Sequence, residues 1–230
     1  MTRAAAGALA VAIVLAARAG RAEDAVAAKV AAELAAGKRL ERQGQTAHAV
    51  RRYAAGVDVF DRSGAKPGSP AAELAAEAQF RLAERVYLDV FQPHRVKWQG
   101  NITGRRGGQN VQAALSSLEQ VKKTATDAYN QVARLGSPLW TQAATVRAGD
   151  VAREAAEKLV SAPPPKDVER LEAKYPGQDI MKQYRVGIAQ QAEPDREEAR
   201  RRWSDVVEEA ERQGVETEWS RRARQRLQRP

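Results

Sequence analysis

The sequence contains no cysteine, only two histidines and only 12 aromatic residues among its 230. Without cysteine the chain has no disulfide, no zinc–thiolate site, no thiol nucleophile and no lipid-modified cysteine. His48 and His94 have no second histidine at metal-ligand spacing, and no carboxylate pair falls on an apolar helix face. We therefore expect no catalytic residue, no metal site and no cofactor, and we predict that the protein is not an enzyme.

Long hydrophobic runs are also scarce. The apolar stretch 4–17 is shorter than the roughly 17–25 residues that a membrane-spanning helix needs. It follows Arg3 and is followed by small residues, which is typical of a secretory signal peptide over residues 1–22. Two cleavage sites fit, one after Ala19 and one after Ala22. The alternative is an uncleaved N-terminal anchor, but we expect a cleaved and exported protein.

The chain has an excess of basic residues, with a formal net charge of +9. A basic protein often binds nucleic acid, but an exported one meets little of it, so we expect no nucleic-acid partner. The anionic partners that remain are a membrane surface, a polyanionic glycan or an acidic protein. The alternative is a biased composition on solvated helix faces that serves no binding function.

Alanine is abundant, with 46 residues. Because alanine is the best helix former and a poor strand former, the composition predicts an all-α fold and excludes a sandwich, a barrel or a parallel α/β sheet. Apolar positions recur at helical spacing, and glycines and prolines interrupt them. The predicted helices are 25–43, 46–62, 70–91, 110–135, 138–161, 178–192, 195–213 and 218–228.

These helices predict an organisation in antiparallel hairpins. We expect helical repeats over 23–162 with an irregular insert at 92–109, a linker with about one helical turn at 163–177, and a C-terminal helical hairpin at 178–230. Pro194 is expected to separate the last two long helices.

The first hairpin fits the pattern of the tetratricopeptide repeat (TPR), a 34-residue pair of helices in which small residues lie where the helices cross. Counting from Val30, Gly37 takes position 8, Ala49 position 20, Tyr53 position 24 and Gly56 position 27. Aromatic and small residues recur in a similar order further along the chain. They are Tyr129, Trp140, Ala144, Trp203 and Trp219.

Together these motifs resemble the TPR-like helical-repeat proteins of bacterial envelopes. The stretch 71–228 is similar to exported TPR proteins of gliding deltaproteobacteria, through Tyr129…Trp140-x3-Ala144-x2-Arg147, the prolines at 163–165, Tyr184…Ala192-x-Pro194, Ala199…Trp203 and Glu218-Trp219. The resemblance implies a short, irregular TPR-like α-solenoid. It also implies a non-catalytic periplasmic scaffold that binds other envelope proteins, in some cases within gliding-motility machinery. The oligomeric state and the partner stay open.

The insert 92–109 departs from that family pattern and is the best candidate for a local contact surface. No acidic residue lies between Asp89 and Glu119. Basic residues interleaved with an aromatic suit an anionic partner through charge and cation–π contacts, and Trp98 could also stack on a carbohydrate. The alternative is a mobile, solvated loop. The candidate partner-binding residues are Arg95, Lys97, Trp98, Arg105 and Arg106.

A second basic group lies at the C-terminus and consists of Arg221, Arg222, Arg224, Arg226 and Arg229. Cations at the end of a helix also oppose its dipole favourably, so a solvated helix end is the simpler interpretation. The alternative function is a module that binds an anionic glycan or a membrane surface through residues 94–106 and these arginines. The glycines at 100, 104, 107 and 108 do not have the spacing of a phosphate-binding loop.

Overall fold

The computed structural model describes residues 3–98 and 100–228, with side chains from Glu23 onward, and most of these residues are helical. No β-strand occurs in these residues, which confirms the all-α prediction. The predicted signal peptide and its cleavage sites lie outside the residues whose side chains are described. The helices are α1 (Arg3–Arg42), α2 (Thr46–Ser63), α3 (Pro70–Val86), a π-helix (Tyr87–Phe91), α4 (Gly107–Ala133), α5 (Pro138–Val160), α6 (Lys166–Lys174), α7 (Ile180–Gln213) and α8 (Glu218–Leu227).

Short polar residues and glycines set the helix ends, as the sequence predicts. Gly64 after α2 and Gly214 after α7 adopt the left-handed conformation, with φ of 71° and 65°. The Ser69 Oγ accepts a backbone N–H in the first turn of α3 at 3.3 Å. Thr217 and Ser220 form a reciprocal capping box at the start of α8. Within the described part of the chain, no helix is both long and apolar enough to cross a membrane.

Helix α7 runs unbroken through Pro194, so the prediction of two helices, 178–192 and 195–213, was wrong. The reason is packing. Buried side chains recur three, four or seven residues apart on both sides of the proline, so both halves bury the same face. That packing outweighs the roughly 3 kcal/mol that a proline costs in a helix interior. The buried residues are Ile188, Ala192, Ala199, Trp203, Val206 and Ala210.

The segment 163–177, predicted as a linker with about one turn of helix, contains the nine-residue helix α6. Asp167 and Val168 in its first turn are buried. Helix α6 packs against α7, and the chain on both sides of the segment belongs to one compact unit.

The chain divides into two compact units. The first comprises the chain as far as Leu82 together with Gln131–Thr141. Helices α1 and α2 pack against each other as a hairpin in this unit. The rings of Phe80 and Trp140 also pack here, with centroids 5.2 Å apart. Its buried cluster consists of Leu34, Ala49, Tyr53, Val57 and Ala78.

The close approach of α1 and α2 depends on Gly37. A Cβ atom at this position would lie 2.6 Å from Cδ1 of Tyr53, closer than real Cβ contacts come. The Tyr53 hydroxyl donates a hydrogen bond to Glu41 at 2.8 Å, which fixes the ring. Gly56 has more room, because a Cβ there would meet Glu33 at an ordinary 3.5 Å.

The second unit comprises Ala83–Asn130 and the chain from Gln142 onward. Its core repeats the same kind of contact, because a Cβ at Gly149 would lie 2.6 Å from Nε1 of Trp203. That indole N–H donates to the Val146 carbonyl at 3.3 Å. Trp219 packs against this cluster, which consists of Val146, Ala152, Ala199, Trp203, Val206 and Ala223.

Candidate binding surface

The π-helix at the end of α3 sets the path of the insert. The backbone N–H of Gln92 donates to the Tyr87 carbonyl at 2.8 Å, a wider turn than an α-helix makes. The Phe91 side chain is completely buried, and the Tyr87 hydroxyl donates to Glu154 at 2.6 Å. The chain therefore leaves the helix from a fixed point just before Pro93.

The insert segment, which we define as residues 92–106, is anchored at three places within the second unit. Lys158 Nζ donates to the carbonyls of Gln92 and His94, at 2.9 and 3.2 Å. Trp98 Nε1 donates to the Pro163 carbonyl at 2.7 Å.

Further along, the backbone N–H and the hydroxyl of Thr103 both donate to one oxygen of Asp167, each at 2.6 Å. Burial alone raises the pKa of the Asp167 carboxyl, but these hydrogen bonds from Thr103 outweigh it and hold the pKa below its ordinary value. The insert segment is therefore bound to α5 through Lys158, to Pro163 through Trp98, and to the first turn of α6 through Asp167.

The five candidate residues do not share one environment. Arg95 is exposed, but its Nη1 donates to the carbonyls of Gln92 and His94 in its own segment. Trp98 is half-buried, with its ring edge-on to Tyr184 at 6.2 Å. Three cations are exposed and form no ion pair within the described part of the chain. They are Lys97, Arg105 and Arg106.

His94 is not available as a cation. Burial lowers its pKa, and repulsion from Lys158, Lys97 and Arg95 lowers it further. Its buried Nε2 has no hydrogen-bond partner among the described residues. His94 is therefore neutral at neutral pH and adds no charge to the surface.

A cleft of about 330 Å³, which we call the Trp98 cleft, lies beside the anchored indole. Trp98 and Asn101 line it from the insert segment, and Lys166 and Arg170 line it from α6. The rest of the lining consists of Val96, Gly100 and the three consecutive prolines 163–165. The sequence interpretation used these prolines as a helix stop and as one feature of the family resemblance, and it placed both cations in a linker, so it missed this cleft.

No family model, no curated protein and no solved structure matches the chain. What the protein binds is therefore inferred from its own side chains.

The second unit also contains a partly buried polar network around Arg147. Its Nε and Nη2 donate to the two carboxylate oxygens of Glu84 at 2.6 and 3.2 Å. The Tyr129 hydroxyl donates to Glu84 at 2.6 Å. The Arg147 guanidinium lies 4.7 Å from the centroid of the Tyr87 ring. Both carboxylate oxygens of Glu84 thus accept hydrogen bonds within this network.

The network extends to the C-terminal helix. Arg226 Nε donates to Asp150 at 3.0 Å, and Arg147 Nη1 donates to the same carboxylate at 3.3 Å. Two more of the C-terminal arginines are also paired: Arg224 with two glutamates of α7 and the α7–α8 loop, and Arg222 with a glutamate of α8. Among the described arginines of that group only Arg221 forms no ion pair, and Arg229 lies outside the described residues.

A larger groove of about 570 Å³ lies between α4 and α7 in the second unit. Leu115, Leu118, Leu159 and Pro194 contribute its apolar lining. Its two lysines are already paired. Lys122 Nζ lies 2.6 Å from Oδ1 of Asp195, and Lys123 lies 2.5 Å from a carboxylate oxygen of Asp127.

The described residues contain no group of three or more His, Asp or Glu side chains placed to hold a metal ion.

Proposed function

We propose that the protein is a non-catalytic, periplasmic scaffold that binds other proteins of the cell envelope through a TPR-like groove. The observation that carries the proposal is the repeated packing of an aromatic ring on a glycine. Tyr53 lies on Gly37 in the first unit, and Trp203 lies on Gly149 in the second. Such contacts bring helices close together and build the stacked hairpins of helical-repeat scaffolds, which present grooves to peptides or helices.

We assign the partner to the groove between α4 and α7. An apolar floor with polar edges accepts a peptide or helix whose side chains are apolar and uncharged. Because Lys122 and Lys123 are already neutralised by Asp195 and Asp127, a charged partner segment would gain no free counter-charge there. The partner segment is therefore a neutral, amphipathic stretch of another envelope protein.

Site-specific photo-crosslinking in the native cells tests this proposal. Ser116 lines the groove, whereas its exposed neighbour Ser117 does not, so the two positions form a matched pair. We expect a photoreactive amino acid at Ser116 to capture a fixed envelope protein, and the same group at Ser117 to capture none. A Leu115→Glu change, at a partly exposed residue of the groove lining, should abolish the Ser116 product. Equal products from both positions, or products that contain only polysaccharide or lipid, would contradict the scaffold.

Export is tested separately by the mass of the N-terminal peptide from the periplasmic fraction. Cleavage after Ala19 leaves Gly20 as the first residue, and cleavage after Ala22 leaves Glu23. Recovery of the chain with Met1 intact in a membrane pellet would support the anchor instead.

A second candidate function is a module that binds an anionic glycan or membrane surface, and a specific observation favours it. Lys97, Arg105 and Arg106 are exposed, without ion pairs in the described part of the chain, and no acid lies near them in sequence. The C-terminal arginines contribute less, because Arg222, Arg224 and Arg226 are paired.

Cosedimentation with phosphatidylglycerol vesicles and with alginate tests this second function. We expect binding that falls steeply with salt and that the triple change to glutamine at Lys97, Arg105 and Arg106 removes. A control that loses three paired arginines, Arg62, Arg153 and Arg212, changes the net charge equally and should retain binding. Equal loss in both triple variants would indicate a non-specific charge effect.

A further inference from the structure

The Trp98 cleft combines an aromatic ring, apolar rings and cations in a space of about 330 Å³. That volume is near the lower end of the roughly 300–1,000 Å³ of small-molecule sites, so it suits one ring and not an extended chain. The indole is held in place, because its N–H is bonded to the Pro163 carbonyl and its edge meets Tyr184. A rigid aromatic surface costs little ordering when a ligand stacks on it.

The charged groups that line the cleft are both positive. Arg170 Nε donates to the Lys166 carbonyl at 3.1 Å, and its Nη2 lies 3.3 Å from Oδ1 of Asn101. These contacts hold the guanidinium at the cleft and leave its Nη1 and the Lys166 ammonium without a partner among the described residues. Two acids adjoin these cations in sequence, Asp167 and Glu169, and neither is part of the lining. Asp167 is bound to Thr103.

The remaining polar group is the Asn101 amide. Its Oδ1 faces Arg170, and its Nδ2 has no partner within the described chain. An unbonded amide donor next to two cations without an ion pair suits a ligand that carries both hydroxyl oxygens and an anionic group.

We propose that the Trp98 cleft binds a sugar acid, that is, a single monosaccharide ring bearing a carboxylate. The carboxylate meets Arg170 and Lys166, a hydroxyl accepts the Asn101 amide N–H, and the apolar face of the ring stacks on Trp98. This site is independent of the scaffold function, because the groove assigned to the protein partner is lined by other residues.

Titration of the full chain with glucuronate, followed by proton–nitrogen NMR of the indole N–H groups, tests the site. The four tryptophans give four indole signals, and a Trp98→Phe variant assigns the relevant one. We expect glucuronate to shift the Trp98 signal saturably with a Kd on the order of 1 mM. Glucose, which lacks the charge, and acetate, which lacks the ring, should each bind at least tenfold more weakly.

Two variants distinguish a local contact from general charge attraction. Arg170→Gln should weaken glucuronate binding at least tenfold, with Lys166→Gln as a second test. Arg105→Gln removes the same charge from an exposed position outside the cleft and should leave the Kd unchanged. Unshifted signals of the other three tryptophans show that each variant is folded.

Three results would overturn the proposal. They are the absence of a saturable shift at Trp98, equal binding of glucose or acetate, and equal weakening by the Arg105 and Arg170 changes. None of them bears on crosslinking from Ser116, so the two proposals fail separately.

Discussion

Gly149 in α5 contacts the indole of Trp203 in α7 so closely that a Cβ atom would lie 2.6 Å from Nε1 and 2.9 Å from Cδ1. The indole of Trp203 also contacts the backbone of α5, because its N–H donates a hydrogen bond to the Val146 carbonyl. The pair sets how closely α7 approaches α5 at this point.

Gly149→Ala is expected to destabilise the protein, although alanine favours a helix over glycine by about 1 kcal/mol. The added methyl group must displace the buried indole, and overpacking of this kind costs about 1–3 kcal/mol. We expect a net loss of about 1 kcal/mol and a fall in Tm of about 2–4 °C, measured by circular dichroism.

The matched control is Gly187→Ala in α7, where a Cβ meets nothing within 4 Å. It should stabilise by up to ~1 kcal/mol through helix propensity alone. A stabilising Gly149→Ala would show that Trp203 can move and that the contact does not determine the packing.

The repeat pattern predicted that Gly37 lies where two helices cross, but nothing in the sequence singled out Gly149 as a contact of Trp203. The first pair, Gly37 and Tyr53, lies in one hairpin with a short turn, where repeat spacing places both residues. In the second pair, Gly149 in α5 and Trp203 in α7 are separated in sequence by α6. No local sequence pattern predicts which helix Trp203 packs against. Pro194 shows the opposite error, because a strong local rule predicted a break that packing across the whole of α7 overrode.

The candidate binding surface could also be predicted only in part from the sequence. The sequence shows the basic residues of the insert segment in a stretch that contains no acidic residue. In the structure Lys97, Arg105 and Arg106 are exposed. The Trp98 cleft was not visible, because it forms only when Trp98 bonds to Pro163, 65 residues away, and brings α6 alongside.

Arg147→Ala should destabilise the second unit by at least ~2 kcal/mol, because Glu84 would keep a partly buried charge without its bidentate partner. Arg153→Ala on the same helix is the control. It removes an exposed pair with Glu157 and should cost less than ~0.5 kcal/mol. Urea unfolding measures both, and equal values would mean that the Arg147 network does not contribute to folding.

Alkaline pH should destabilise the protein through its tyrosines. Burial, followed by the hydrogen bond to Glu154, raises the pKa of Tyr87 to about 12, and burial raises that of Tyr184 to about 12. In the unfolded chain these hydroxyls titrate near 10, so the unfolded state loses protons first. Stability is therefore full below pH 10 and falls between about pH 10 and 12.

Urea unfolding at a series of pH values measures this loss, and near-ultraviolet phenolate absorbance follows the ionisation. In Tyr87→Phe the fall in stability between pH 10 and 12 should be shallower. Tyr175, which is exposed, provides the control through Tyr175→Phe. An unchanged slope in Tyr87→Phe would show that its hydroxyl is not protected in the folded state.

Pro194→Ala should stabilise the protein, because proline has no N–H to donate to the Gln190 carbonyl one turn earlier in α7. Helix propensity favours alanine by about 3 kcal/mol, and the greater freedom of the unfolded chain offsets about 0.4–1 kcal/mol of that. We expect a net gain of about 2–2.6 kcal/mol by urea unfolding, and a smaller gain for Pro194→Gly, which restores the N–H with a poor helix former. If alanine instead destabilises, the proline ring contributes more to the groove between α4 and α7 than it costs the helix.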